Sequence, residues 1–149
     1  MEILFFEDIV VGAERVNSVV YEITREEIIE FAGRWDPRPF HLDESAAASS
    51  VFGELVACSA HIFSIFSWFG TQGNTRNASL AALGFDELRM LHRVRPGDKL
   101  SHAMTCLEKR ESRSKPDRGI ARFRVVLSNQ HGTAVFSAIA TIFVAKRPR

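Results

Sequence analysis

One short stretch of this chain carries side chains suited to moving protons. Asp36 and His41 stand five residues apart in Asp36-Pro37-Arg38-Pro39-Phe40-His41. A carboxylate and an imidazole that share one water can take a proton from it and deliver a proton elsewhere. Both prolines have a fixed φ, so the link between the two groups is held at low entropic cost. Taken alone, the same residues also fit a plainer reading: an aspartate that ends a helix and bonds a nearby amide, and a structural histidine. The remaining candidates carry less. Cys58 stands at a helix start, which favours a thiolate, but no base accompanies it and a buried small residue is the better reading. His61 falls on an apolar helix and reads as a hydrogen-bonded core histidine. His92, His102 and His131 have no metal-ligand spacing with any cysteine or carboxylate. Arg89, Arg93 and Arg95 are open to two readings, phosphate contacts or a solvated strand end.

Positioning such a pair requires rigid elements on both sides of it. Val16 to Ile23 contains Val19-Val20 and reads as a strand. Thr24-Arg25-Glu26-Glu27 has capping-box spacing, with Thr24 as N-cap and Glu27 reaching back. Ile28, Ile29, Phe31, Ala32 and Trp35 follow at helical spacing. Pro37 disfavours helical geometry before it, so the helix ends near Asp36 and residues 36–41 form a stiff, extended link. Asp43 caps a second, short helix through Ser45 to Ala48. The stretch from Val56 to Phe69 is apolar on nearly every face and reads as a buried helix, stopped by Gly70 and Gly73. After Ser79 four runs suit strands: about Leu80 to His92, Leu100 to Glu111, Ile120 to Asn129 and Ala134 to Lys146. In the third, Phe123, Val125 and Leu127 face opposite to Arg122 and Arg124. Short polar links suit antiparallel neighbours. The expected fold class is α+β: a curved antiparallel sheet wrapped around a long buried central helix.

Composition narrows the partners. The 149 residues suit one domain, with 46% apolar and 25% charged residues, which argues against disorder. Nineteen Lys and Arg against eighteen Asp and Glu leave a formal charge of +1, not the basic excess of a nucleic-acid binder. Twelve Phe and two Trp supply mass for a large core, an interface or an apolar ligand channel. Two cysteines make no disulfide framework. With no signal-peptide pattern at Met1 to Asp8 and no apolar run long enough for a bilayer, the expected location is the cytoplasm, with no membrane partner.

The stretch Phe31 to His41 ends in Asp-x-x-Pro-x-His, which resembles the hydratase signature of the MaoC-like dehydratases, the (R)-specific enoyl-CoA hydratases of the hotdog fold. Ala47 falls where that signature has a small residue. Phe52 to Ala57, Arg93 to Asp98 and Ser128 to Gly132 agree with family members, and the resemblance runs from about Phe6 to Val144. Two positions depart from it. Arg38 stands where Asn is frequent, and Cys58-Ser59 stands where His-Gly often opens the helix.

The resemblance implies a single hotdog domain over residues 1–149. It implies reversible addition of water across a trans-2-enoyl-CoA or acyl-carrier thioester, giving an (R)-3-hydroxyacyl product without metal, flavin or nicotinamide. Asp36 and His41 would hold the catalytic water, and the Ser59 amide would polarise the thioester carbonyl. Ser67 and Cys58 match positions near the substrate in relatives. A homodimer would place the pantetheine tunnel at the subunit interface, since a hotdog monomer leaves its sheet edge open. Two alternatives stand beside this reading. A hotdog thioesterase commonly uses a carboxylate on the central helix, and Val56 to Phe69 has none. A non-catalytic thioester-binding subunit would draw its support from Arg38 and Cys58-Ser59.

Overall fold

The computed structural model describes all residues, 1–149. Its N-terminal half carries the helices and three short strands, and its C-terminal half the four long strands. Glu2–Leu4 (β1) pairs in parallel with Thr75–Asn77 (β4) as a small separate ribbon. Glu14–Val16 (β2) and Tyr21–Glu22 (β3) both run antiparallel to Lys99–Glu111 (β6). Ser79–Met90 (β5), β6, Arg118–Ser128 (β7) and Ala134–Ala145 (β8) complete the main sheet. Its spatial order is β2-β6-β7-β8-β5, every pair antiparallel.

The expected strand over Val16 to Ile23 is broken in two. The Asn17 amide donates to the carbonyls of Phe69 and Gln72, and its Oδ1 accepts from the Val19 amide. That side chain ties the strand to the end of a helix and interrupts its ladder, so β2 and β3 are separate pieces.

Arg25–Trp35 (α1) starts as its sequence indicates, with the Thr24 hydroxyl accepting from the Glu27 amide at 3.2 Å. The reciprocal half of the expected box is absent. The Glu27 carboxylate instead accepts from the Tyr21 hydroxyl and from His61 Nε2 at 2.9 Å. The link after α1 is extended only through Arg38. Pro39–Leu42 (α2) is a helical turn with proline at its first position, where a missing N–H costs nothing. Glu44–Ala48 (α3) is capped by Asp43, whose Oδ1 accepts from the Ala46 amide.

Ser59–Phe69 (α4) is the central helix, three residues shorter at its start than expected. Residues 56–58 are extended, held where the Ala57 amide donates to the Val94 carbonyl. Ile62, Ile65, Phe66 and Phe69 are buried against the concave face of the sheet. There they meet Phe123, Val125, Leu127, Phe136, Ala138 and Val144, the alternation read from the sequence. Against the expectation of burial all round, Ser59, Ala60, Ser64 and Ser67 leave one face of α4 exposed. An antiparallel sheet wrapped around one helix is the hotdog layout.

The stretches Arg93 to Asp98 and Ser128 to Gly132 form a structural clasp. Asp98 is buried and accepts from the Arg95 amide and from Gln130 Nε2. Gln130 Oε1 accepts from the Lys99 amide, and Asn129 Oδ1 accepts from the amides of His131 and Thr133. Pro-Gly-Asp and Asn-Gln-x-Gly thus close on each other, and Gly97 supplies the left-handed conformation the turn needs (φ +84°). The clasp holds Val94, which anchors the segment leading into α4.

Candidate active site

Asp36 is the C-cap of α1, its amide donating to the Ala32 carbonyl. Pro37 and Arg38 then carry the chain out and back. Pro39 starts the turn of α2, which directs the His41 ring beneath the start of α4. The ring is buried, held edge-on by Phe40 at 4.5 Å between centroids. His41 Nδ1 lies 2.7 Å from the Val56 carbonyl oxygen. A carbonyl only accepts, so Nδ1 carries the hydrogen, and the neutral ring presents the Nε2 lone pair. That atom sits 3.7 Å from Asp36 Oδ2. The gap is too long for a direct hydrogen bond and short enough for one water to touch both groups.

Asp36 is mostly buried, with its side chain 16% exposed. Its other oxygen, Oδ1, is paired with the Arg38 guanidinium, itself 63% exposed. Arg38 therefore reaches back over the carboxylate and leaves Oδ2 facing the histidine.

Both groups line a cavity of about 510 Å³, within the range of small-molecule sites. Phe40, Phe52, Val56, Ile62, Met90 and Leu91 give it apolar walls. Arg38, His92 and Arg93 contribute basic groups to it, and Arg93 is also paired with Glu54 at 2.6 Å. Ser59 lines the same cavity as the first residue of α4. No side chain caps that helix start. Its first amides have no intrahelical acceptors and carry the positive end of the helix dipole.

The five residues singled out in the sequence do not all meet. Asp36, His41 and Ser59 share the cavity. Cys58 is the N-cap residue, buried and outside the lining, with its thiol pushed up by burial first and by the Asp36 charge to a lesser degree. Ser67 lines a different cavity near the far end of α4. Two contributors escaped the sequence reading. The Val56 carbonyl, which sets the histidine tautomer, is backbone and leaves no mark in residue types. His92 was weighed only as a metal ligand, and its place on the wall follows from β5 ending at Met90. His61 is the core histidine expected, stacked on Phe31 at 4.4 Å and bonded to Glu27. No three His, Cys, Asp or Glu side chains gather as metal ligands would. No helix is long and apolar enough to cross a membrane.

The family model for the MaoC like domain matches residues 8–127. The MaoC-like dehydratase from Rhodospirillum rubrum has 36% sequence identity and a TM-score of 0.90, covering 98% of this chain and 99% of that one. The unliganded R-hydratase of Pseudomonas aeruginosa is 25% identical with a TM-score of 0.75, over 96% of this chain and 86% of its own. Protein MaoC of Klebsiella aerogenes is 30% identical over 106 residues, 70% of this chain but only 31% of that longer protein. The family model spans most of the chain, and the chain belongs to the MaoC-like dehydratase family.

Proposed function

We propose that this protein is an enoyl-thioester hydratase/dehydratase, adding water reversibly across a trans-2-enoyl-CoA or acyl-carrier double bond. The observation that carries the reading is the His41 ring, with Nδ1 bound to the Val56 carbonyl and Nε2 3.7 Å from Asp36. A water donating one hydrogen to Asp36 Oδ2 and the other to His41 Nε2 turns its oxygen lone pairs toward the cavity. As that oxygen bonds to C3, Nε2 takes the proton and the C2=C3 electrons move toward the thioester carbonyl. The resulting enolate oxygen accepts from the Ser59 amide, at the positive end of α4. One such backbone donor is worth about 3–4 kcal/mol of transition-state stabilisation. The imidazolium then returns its proton to C2, so water is consumed and the base regenerated. Asp36 orients the water and steadies the transient imidazolium, while the Arg38 contact fixes its other oxygen. The apolar walls suit an acyl chain, and Arg38, His92 and Arg93 suit phosphate groups.

In this reading all 149 residues form one domain in cytoplasmic acyl-thioester metabolism, and the working form is a homodimer. The outer edge of β5 is unpaired, and Leu80, Leu83, Phe85 and Met90 on that strand are exposed. Such an edge invites a second copy. The test is a panel of trans-2-enoyl-CoA thioesters, following loss of enoyl absorbance and release of free thiol together. Enoyl loss without thiol, falling about 10²–10⁴-fold in both Asp36→Asn and His41→Ala, is the expected result. Thiol release would make the protein a thioesterase. Binding without turnover would make it a non-catalytic subunit.

A further inference from the structure

A second cavity, of about 350 Å³, lies near the C-terminal end of α4 and shares no residue with the one around Asp36 and His41. Phe66 and Phe69 of α4 and Phe123, Val125, Ala140 and Ile142 of the sheet give it apolar walls. Its charged lining is entirely cationic: Arg15 from β2 and Arg76 from β4, with no aspartate or glutamate. Arg76 donates to the Thr71 carbonyl and meets the Met1 sulfur, while its buried Nε has no partner. Arg15 is paired on one side only. Its Nη2 donates to Asn77 Oδ1 at 2.5 Å and approaches the Met104 sulfur at 3.4 Å. Nε and Nη1 have no partner in the protein, and no carboxylate comes within ion-pair distance. Glu2 is the carboxylate whose field reaches it, without contact. Beside Arg15 lies His102, buried between Phe69 and Phe66, with Nδ1 bonded to nothing.

A half-buried guanidinium without a counter-charge is costly, and proteins ordinarily pair it. Here Arg15 lines a largely apolar cavity that holds no carboxylate. We propose that this cavity binds an amphipathic carboxylate, its apolar body against Phe66, Phe69, Phe123 and Ile142 and its carboxylate paired with Arg15. Two sources share that chemistry. One is a free medium-chain carboxylic acid. The other, which rests on the function proposed above, is the far-end carboxylate of a dicarboxylic acyl thioester. Ser59 and Ser67 line the two cavities and lie eight residues apart on α4, about 12 Å along its axis. An extended acyl chain spans such a distance.

The test titrates octanoate and 1-octanol into the whole protein by calorimetry, with Arg15→Met and Ala140→Phe in parallel and folding checked by circular dichroism. Octanoate should bind at least about ten-fold more tightly than the alcohol. Arg15→Met should erase that preference, and Ala140→Phe should remove both ligands by filling the cavity. In the unmodified protein the His102 ring resonances should move with octanoate. Equal affinity for acid and alcohol would overturn the proposal, and that comparison needs no variant. A preference that survives Arg15→Met would overturn it too. To separate the sources, kcat/KM is compared for enoyl-CoA substrates ending in a carboxylate or a methyl group. A loss in Arg15→Met confined to the carboxylate-ended substrate assigns the site to the acyl terminus, and an equal effect on both assigns it to the free acid. If no enoyl thioester is turned over, the hydratase reading fails while the calorimetric result still decides the carboxylate site.

Discussion

Lowering the pH from about 7 to about 4.5 should cost this protein about 2 kcal/mol of stability through His102 alone. Burial first, and then the Arg15 charge, push the His102 pKa down from 6.5 to about 4. An unfolded chain returns the ring to about 6.5. Between those values the unfolded state holds a proton that the folded state refuses, so stability rises with pH across the window. The full contribution is present above about pH 6.5 and lost as pH falls to about 4. A difference of that size amounts to about 3 kcal/mol, of which about 2 are lost by about pH 4.5. Carboxylates titrate in the same range, so the measurement must be differential. Urea denaturation of the parent and of His102→Gln at both pH values isolates the His102 contribution, because glutamine does not titrate. The parent should lose about 2 kcal/mol more than the variant on acidification. Equal losses would refute the argument. They would mean that the ring is solvated or carries its proton in the folded state.

Three further outcomes follow from the packing. A Cβ at Gly119 would drive into the Phe6 ring, so Gly119→Ala should cost about 1–3 kcal/mol in denaturant melts. The cost should shrink when combined with Phe6→Ala, the coupling read as a double-mutant cycle. Asp98→Ala leaves the Arg95 amide and Gln130 without their acceptor, and should lower stability by about 2 kcal/mol by the same melts. Leu83→Lys, on the open edge of β5, should turn a dimer into a monomer in sedimentation velocity with helix content unchanged. A parent protein that sediments as a monomer would remove the interface from the functional reading.

What could be read in advance was whatever repeats or is punctuated. Of the four long strands, the last two came from clear alternation such as Phe123, Val125 and Leu127. α1 and α3 came from caps at Thr24 and Asp43, and the break before the histidine came from two prolines. What could not be read depended on distant partners. Asn17 breaks a β-prone run because its amide finds carbonyls more than fifty residues away. Glu27 leaves its own helix end for Tyr21 and His61. β1 and β4 are three residues each, too short for any period to show. The position of Ser67 relative to Asp36 followed the same rule. Two turns along a helix are enough to carry a side chain from one cavity to another, and residue spacing alone does not reveal it.

The central helix has a consequence for synthesis. α4 is complete at Phe69, but the last strand that covers it ends at Ala145. At about 5–20 residues per second, a ribosome needs about 4–15 s to supply the intervening chain. During that interval Ile62, Phe66 and Phe69 have no sheet to enter. The nascent protein therefore passes through a stage in which its most apolar segment is outside the ribosome and unshielded. A ribosome stalled before β8 would hold a chain that chaperones bind and proteases cut.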